Sequence, residues 1–368
     1  MKPASRILFT GYAPVHFICF RPLYERLMAR GDVEVFVSGG TRTTTGTGYR
    51  YDAAEMYRPF NLPPERVLST DAIGELDFDV MFTSHTRLIR PRSVAMTIQI
   101  FHGISYRNKA IRPENMSHDY YFLVGPYMHR RFVAAGFLDK NDRRAVQIGF
   151  MKTDRLLNGQ LDRKKILAGL GFTGERPLLL YAPTGAQQNS LEIMGEEVIE
   201  RLTGAGHFDL LVKPHDHPKN LDVDWFARLA RFEGPHCRIT REPDIIPLMF
   251  VADLLLSDAS SAANEFSLLD RPIVFLDTPE LIAQAKESAN SMLDLNTWGR
   301  KAGSLVKRPE QVVDVVRYSL ENKRSRSEIR QAMANDFFYN RGTATHAAMG
   351  WLEDNILAAR RACSPLAA

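Results

Sequence analysis

The chain has 368 residues, of which 45% are apolar and 24% charged, a composition typical of a soluble globular protein of about two domains. No apolar run is long enough to cross a membrane and no secretory signal pattern opens the chain, so we expect a cytoplasmic location. Three scattered cysteines argue against a disulfide framework or a cysteine-based zinc site. The net charge of +4 comes without a nucleic-acid-binding motif, and we expect no nucleic-acid partner.

The first part of the chain alternates short apolar strands with helices. Its opening predicts a strand at 6–9, a helix at 21–30 and a strand at 33–37. Further strands are predicted at 66–69, 80–83, 96–101, 120–124 and 146–148. Residues 39–50 are rich in threonine and glycine without apolar periodicity, which predicts a loop. Gly11 and His16 lie in the loop after the first strand, where substrates dock in doubly wound sheets.

A histidine follows one of these predicted strands directly. His102 precedes Gly103, and an imidazole at that position can accept a proton from an attacking hydroxyl at neutral pH. A lone histidine is more often structural, so both interpretations stay open at this point. The basic residues after it, Arg107, Lys109 and Arg112, are consistent with a solvated turn.

The alternation restarts after a boundary between about 150 and 175, with a strand at 178–181, a helix at 191–202 and a strand at 208–212. Lys213, His215 and His217 follow this strand. The HxH spacing suggests a metal, yet no third ligand is evident, so a cationic phosphate site is the simpler functional interpretation. An exposed polar loop is the alternative.

Residues 251–276 predict a buried strand, a turn at 257–259, a helix beginning at Ser260 and Ser261, and a second strand after Pro272. A helix start with two hydroxyls can bind phosphate through its unpaired N–H groups. A simple N-cap explains the serines equally well. From 309 onward the pattern predicts helices, the last at about 344–361.

Five stretches form an ordered set of motifs. They are FHG (101–103), IGFMKTDRL (148–156), LLYAPT (179–184), LLVKPH (210–215) and SDASSAANEFSLLDRPIVFLD (257–277). In order and spacing they resemble the CDP-glycerol glycerophosphotransferase family, the teichoic-acid-type polymerases and primases that transfer polyol phosphate from a CDP-activated donor. The last stretch is the most specific.

The resemblance implies an α/β, GT-B-like fold with two Rossmann-like domains facing a cleft and a C-terminal helix crossing back to the first. We expect an acceptor-side domain at 1–160, a donor-nucleotide domain at 161–338 and the returning helix at 339–368. The implied reaction transfers glycerol phosphate or a related polyol phosphate from a CDP-polyol donor to a hydroxyl of a glycan or lipid-linked acceptor. CMP is released, in cell-surface polymer synthesis, with at most peripheral contact at the inner face of the membrane.

The resemblance also implies roles for individual residues. His102 is expected to be the base on the acceptor hydroxyl, and His215 to steady the donor pyrophosphate or the leaving group. The donor phosphates are expected to contact Lys213, Asp258, Ser260 and Ser261. Further substrate contacts are expected at Gly11, His16, Gly103, Thr184 and Glu265. No metal ligand or cofactor is expected, and a divalent-cation requirement stays open.

The chain departs from the family pattern at several positions. Phe101 replaces a tryptophan, Ala259 a tyrosine and Glu265 an aspartate, and no basic residue follows the APT motif. These changes leave the identity of donor and acceptor open. Two alternatives remain: a GT-B glycosyltransferase or UDP-sugar 2-epimerase, and a non-catalytic nucleotide-sugar binding protein, because fold alone does not separate them.

Overall fold

The computed structural model describes residues 5–357, apart from 46–47, 85–88, 104–105, 217–219, 221 and 289–290. The chain divides into two units. Unit 1 comprises residues 1–103, 110–154 and 338–368, and unit 2 comprises residues 104–109 and 155–337. Of the helices between residues 5 and 357 that are described, none has the length and hydropathy that a membrane crossing needs.

Strands and helices alternate along both units. The strands are β1 (Ser5–Gly11), β2 (Val33–Gly39), β3 (Thr41–Thr45), β4 (Gly48–Asp52), β5 (Asp77–Thr83), β6 (Ser93–Ile100), β7 (Tyr120–Leu123), β8 (Ala145–Gln147), β9 (Leu178–Tyr181), β10 (Asp209–Val212), β11 (Cys237–Ile239), β12 (Leu254–Ser257), β13 (Ile273–Leu276) and β14 (Ser304–Val306). The α-helices are α1 (Pro14–Met28), α2 (Ala53–Tyr57), α3 (Thr70–Gly74), α4 (Pro126–Ala134), α5 (Arg163–Leu170), α6 (Glu196–Gly204), α7 (Trp225–Leu229), α8 (Ile245–Val251), α9 (Ala262–Phe266), α10 (Pro279–Glu287), α11 (Val312–Glu321), α12 (Ser327–Phe337) and α13 (Ala344–Leu352).

Unit 1 is built on a parallel sheet with the strand order β2-β1-β5-β6-β7-β8. The register pairs Ile7 with Val35 on one side and with Val80 on the other. All three side chains are buried, as expected for a parallel sheet with both faces covered. The strand order reverses between β1 and β5, and such a reversal creates a crevice at the carboxyl ends of the strands.

Unit 2 repeats this architecture with the order β11-β10-β9-β12-β13-β14. Its central strands are short apolar runs, and every residue of β9, β10, β12 and β13 is buried. The reversal here lies between β9 and β12, which pair directly through Leu255 and Leu180. The expected fold, with two Rossmann-like domains built on parallel sheets, is therefore observed.

The end of the chain returns to unit 1. The Trp351 ring, on α13, contacts the rings of Tyr120 and Phe122 at centroid distances of 4.8 and 5.2 Å. Arg30 pairs with Glu353 at 2.9 Å between Nη1 and Oε2. Aromatic packing on β7 and an ion pair next to α1 thus fix the C-terminal helix, and residues 358–368 of the predicted helix lie outside the described range.

The helix predicted at 21–30 begins earlier, at Pro14, where proline suits the first turn, so Gly11 and His16 lie in β1 and α1 and not in a loop.

Two further local predictions are wrong. Residues 39–50 contain the antiparallel hairpin β3–β4, in which Thr41 pairs with Asp52, because β-branched and aromatic residues favour extended structure. Residues 66–69 form no strand, because a 3₁₀ turn occupies Pro64–Arg66 and the Ser69 side chain caps α3 by accepting the Ala72 N–H at 3.0 Å. Within this stretch Val67 makes an isolated bridge to Val37.

The motif at 148–156 joins the units and is anchored in each. On the unit 1 side, buried Asp154 accepts the N–H groups of Ala344 and Thr345 at 3.0 and 2.7 Å, which satisfies the start of α13. Gly149 has φ +98°, and a Cβ there would lie 2.3 Å from the Tyr339 carbonyl oxygen. On the unit 2 side, Arg155 pairs with Asp244 at 2.5 Å.

Replacing Asp154 with alanine removes both acceptors at the start of α13. We expect the opening free energy of this helix to fall by about 1 to 2 kcal/mol, the range for a lost N-cap. Hydrogen exchange of peptides spanning 344–352 measures this change as roughly tenfold faster exchange. Asp154→Asn keeps one acceptor oxygen and should lose less. Unchanged exchange in the alanine variant would show that α13 does not depend on this carboxylate.

Candidate functional site

The residues expected to act on substrates lie at the carboxyl ends of the two sheets. In unit 1, Gly11 ends β1, His16 lies in the first turn of α1, and His102 and Gly103 follow β6. In unit 2, Thr184 follows β9, Lys213 and His215 follow β10, and the stretch from Asp258 to Glu265 follows β12. Both sets therefore lie beside the strand-order reversal of their own sheet, the usual ligand crevice of such folds.

The His102 imidazole has a defined tautomer when it is neutral. Its Nδ1 lies 2.8 Å from the carbonyl oxygen of Ser84, the residue after β5. A carbonyl can only accept, so Nδ1 carries the proton and Nε2 presents a lone pair. The residue is exposed to solvent, which leaves this lone pair able to act as a base.

The surroundings of His102 favour its neutral form. Although the residue is solvent-accessible, its ring lies among enough protein atoms that desolvation lowers its pKa below the ordinary 6.5. The hydrogen bond to Ser84 opposes this shift, whereas the positive charges of Lys152 and Arg112 add to it. His102 is therefore unprotonated at neutral pH, as a general base must be.

A second histidine packs beside the first. His16 is buried, its Nδ1 accepts the Tyr12 N–H at 3.1 Å, and its ring centroid lies 5.1 Å from that of His102. Gly11 permits this arrangement, because a Cβ at that position would lie 2.7 Å from the His16 Cβ. The structure thus brings Gly11, His16 and His102 together, next to Gly103 with its φ of +136°.

In unit 2 a buried carboxylate holds the loop after β9. Asp258 is 0% exposed and accepts hydrogen bonds from the Thr184 N–H at 2.8 Å, the Ser190 N–H at 2.9 Å and the Ser190 hydroxyl at 2.8 Å. The Tyr181 hydroxyl donates to Ser190 Oγ at 2.9 Å. Burial raises the pKa of Asp258, and the bonds from Ser190 and Thr184 together with the charge of Arg107 counter that shift.

Sequence reasoning missed Ser190 and Tyr181 as parts of this network. Between them lies the loop 182–190, which leads into a π-helical turn at Leu191–Gly195. Such turns are frequent at functional sites. A serine at a helix start was the available signal, but its carboxylate partner lies 68 positions away in the chain.

Ser260 and Ser261 lie in the turn between β12 and α9. Ser260 Oγ accepts the Ala262 N–H at 3.2 Å, so it serves as a cap, while the Ser261 side chain makes no capping hydrogen bond. Both residues are partly exposed. Glu265 is 3% exposed, which rules out a surface charge at that position.

The two basic residues after β10, Lys213 and His215, differ in exposure. Lys213 is buried and its Nζ donates to Asp216 Oδ1 at 2.8 Å, whereas His215 is exposed. His217, the other half of the HxH pattern, lies outside the described residues. Among the residues that the structure does describe, no group of three or more histidine, cysteine or acidic side chains could hold a metal ion.

Arg107 does not lie in a solvated turn, contrary to the interpretation of its basic segment. Its Nη2 donates to Thr184 Oγ1 at 2.7 Å, within unit 2. The neighbouring Tyr106 ring is buried and packs with Ala259 and Leu281.

Two Rossmann-like units with these strand-end sites define a GT-B-like protein. The sequence profile of the CDP-glycerol:poly(glycerophosphate) glycerophosphotransferase family matches residues 82–347. The chain belongs to this family, and the expected resemblance is confirmed.

The chain is also similar to individual proteins. A stretch of 139 residues is 28% identical to the teichoic acid glycerol-phosphate primase of Bacillus subtilis (strain 168), and it spans 36% of this chain and 33% of the primase. The structure of the wall teichoic acid polymerase TagF aligns over 98% of this chain and 90% of its own, with a TM-score of 0.68 and 14% identity. A putative UDP-N-acetylglucosamine 2-epimerase from Listeria monocytogenes aligns over 96% and 97%, with a TM-score of 0.58 and 15% identity. These structural similarities establish the fold.

Replacing Asp258 with alanine leaves two buried N–H groups and one hydroxyl without their acceptor. We expect unit 2 to lose about 3 kcal/mol of unfolding free energy, measured by chemical denaturation. Ser190→Ala removes one donor and should lose only about 1 to 2 kcal/mol. Equal losses in both variants, or none in Asp258→Ala, would contradict the role of this carboxylate.

Proposed function

We propose that this protein transfers glycerol phosphate, or a related polyol phosphate, from a CDP-activated donor to a hydroxyl of a glycan or lipid-linked acceptor and releases CMP. The observation that carries the proposal is His102, a neutral imidazole with its Nε2 lone pair presented at the carboxyl edge of the unit 1 sheet. Family membership supplies the reaction class. The similar polymerase TagF was soaked with CDPG in one of its structures, a variant that aligns with a TM-score of 0.68.

In this mechanism His102 Nε2 takes the proton of the acceptor hydroxyl. The acceptor oxygen attacks the β-phosphorus of the donor, and the bond from that phosphorus to the bridging oxygen breaks. The polyol phosphate then becomes esterified to the acceptor, and CMP leaves with the bridging oxygen and its charge. Positioning and electrostatic stabilisation provide most of the catalysis in such transfers.

The donor phosphates are assigned to unit 2. Lys213, His215 and the hydroxyls of Ser260 and Ser261 supply positive charge and hydrogen-bond donors for the phosphate oxygens and the leaving group. Asp258 does not contact the phosphates itself in this proposal, because its carboxylate oxygens already accept three hydrogen bonds from the loop after β9. It positions Thr184 and that loop against the donor.

Gly11, His16, Gly103 and Glu265 complete the substrate-binding set in this proposal. His16 and Gly11 shape the wall beside the base, within 5.1 Å of its ring in the case of His16. Work on a lipid-linked acceptor brings the protein to the inner face of the cell membrane, where contact is peripheral. Capsule and wall polymers both fit this acceptor chemistry.

CMP release from CDP-glycerol and CDP-ribitol, with UDP-sugars assayed alongside, tests the donor class. We expect CMP from a CDP-polyol, and a loss of about a hundredfold or more in turnover for His102→Ala with little change in donor binding. Ser84→Ala is a matched control, because it preserves the backbone carbonyl that orients the imidazole. UDP release would instead favour a glycosyltransferase or epimerase, and binding without turnover a non-catalytic protein.

The rate should also depend on pH through His102. A base must be unprotonated, and the pKa of this imidazole lies below 6.5, so kcat/KM should rise with pH through a midpoint below 6.5 and stay level at neutral pH. Profiles measured between about pH 5 and 8 show this limb. If kcat/KM rose with pH through a midpoint above 6.5, His102 would not be the titrating base.

A further inference from the structure

The segment just after the catalytic histidine belongs to the donor unit. Residues 104–109 cluster with unit 2, although the chain on either side of them belongs to unit 1. The Asp294 N–H donates to the Tyr106 carbonyl at 2.7 Å, and Asn108 Nδ2 donates to the Met292 carbonyl at 2.8 Å. These bonds anchor the backbone on both sides of Arg107.

Desolvation lowers the pKa of Arg107, and the charge of Asp258, which acts from beyond salt-bridge distance, compensates this only in part. Its Nη2 donates to the Thr184 hydroxyl, while its buried Nε has no hydrogen-bond partner in the described part of the chain. Over the same described residues, no carboxylate lies within 4.0 Å of its guanidinium, so it forms no salt bridge. A guanidinium keeps its charge in proteins, and taking part of that charge out of water without a direct ion pair is costly.

The two carboxylates whose charges act on Tyr106, one of which also acts on Arg107, are already engaged. Asp258 accepts its three hydrogen bonds from the loop after β9, and Asp277 pairs with Arg300. A second polar group beside Arg107 is also unsatisfied, since the hydroxyl of Tyr106 is buried and has no hydrogen-bond partner in the described residues. Within the described residues, the Arg107 Nε and the Tyr106 hydroxyl are thus both buried without a hydrogen-bond partner, in a segment that contacts the chain just after β9 and β12.

We propose that Arg107, with the Tyr106 hydroxyl beside it, binds the diphosphate of the nucleotide donor. The planar guanidinium presents several N–H groups in a fixed fork that matches phosphate oxygens, which a threonine hydroxyl alone does not satisfy. The Thr184 contact then holds the guanidinium in place, and Asp258 holds Thr184. This assignment rests on the proposed function for the nucleotide, but its anion chemistry does not depend on which base the donor carries.

The proposed base and the proposed diphosphate ligand lie close together in the sequence. Arg107 lies shortly after His102, so one continuous segment contains both the proposed base in unit 1 and a proposed donor ligand in unit 2. A sequence motif that ends at Gly103 therefore continues in function to residue 107.

Equilibrium titrations with cytidine, CDP and inorganic pyrophosphate test the proposal. In Arg107→Gln, affinity for CDP and pyrophosphate should fall tenfold or more, as expected for a lost charge-assisted contact, while affinity for cytidine stays as in the unmodified protein. Arg107→Lys keeps the charge but loses the planar fork of N–H groups. Its affinity for CDP and pyrophosphate should lie between those of the unmodified protein and Arg107→Gln. Tyr106→Phe keeps the ring packing and should lower the affinity only for CDP and pyrophosphate.

Arg317→Gln is the matched control, because Arg317 is an exposed arginine on α11 in the same unit. Unchanged CDP affinity in Arg107→Gln would overturn the proposal. So would an equal loss for cytidine together with a lower Tm than the control, because that pattern indicates a structural role. If the unmodified protein binds pyrophosphate but no cytidine nucleotide, the CDP donor fails while the pyrophosphate titration still decides the role of Arg107. Binding of none of the three ligands would overturn both.

Discussion

The conformation of unit 2 beside its strand-order reversal depends on the buried carboxylate of Asp258. It is the acceptor for three hydrogen bonds that join the end of β12 to the loop after β9, across the strand-order reversal of the unit 2 sheet. Burying a carboxylate costs free energy unless its oxygens accept hydrogen bonds. Here two backbone N–H groups and one hydroxyl donate those bonds. These bonds restrain the loop after β9, and the Thr184 hydroxyl in that loop accepts the hydrogen bond of Arg107.

Unit 1 solves a related problem with neutral groups. The proposed base, His102, is oriented by the backbone carbonyl of Ser84, and its neighbour His16 by the backbone N–H of Tyr12. Backbone groups are fixed by the strands that carry them, so both imidazoles have defined tautomers without a carboxylate. Lys152 and Arg112 then disfavour the protonated form of His102 through their charges. The orientation of the proposed base is therefore set by the backbone at the end of a strand.

Motifs that mark the family divide between structure and chemistry. The stretch containing Gly149 and Asp154 holds the returning C-terminal segment onto unit 1, and it contains no residue that we place in the reaction. Asp258 lies in the most specific motif, yet it acts through other residues. Arg107 lies outside every motif, yet it contacts Thr184 directly and has a buried Nε without a hydrogen-bond partner in the described residues. Motif membership therefore locates the site but does not rank its residues by role.

The sequence by itself determined the two parallel sheets and the strand ends at which the proposed site residues lie. Strands covered on both faces must be apolar along their whole length, so β9, β10, β12 and β13 are visible as short apolar runs, and His102 and Asp258 stand directly after such runs. Only the tertiary structure decided which side chains meet. The partners of Asp258 lie 68 and 74 positions away, the Thr184 hydroxyl lies 77 positions from Arg107, and the threonine-rich segment pairs as a hairpin rather than a loop. Local periodicity reports whether a face is buried, whereas the partner of a buried charge is set by packing between distant segments, and no local pattern encodes that choice.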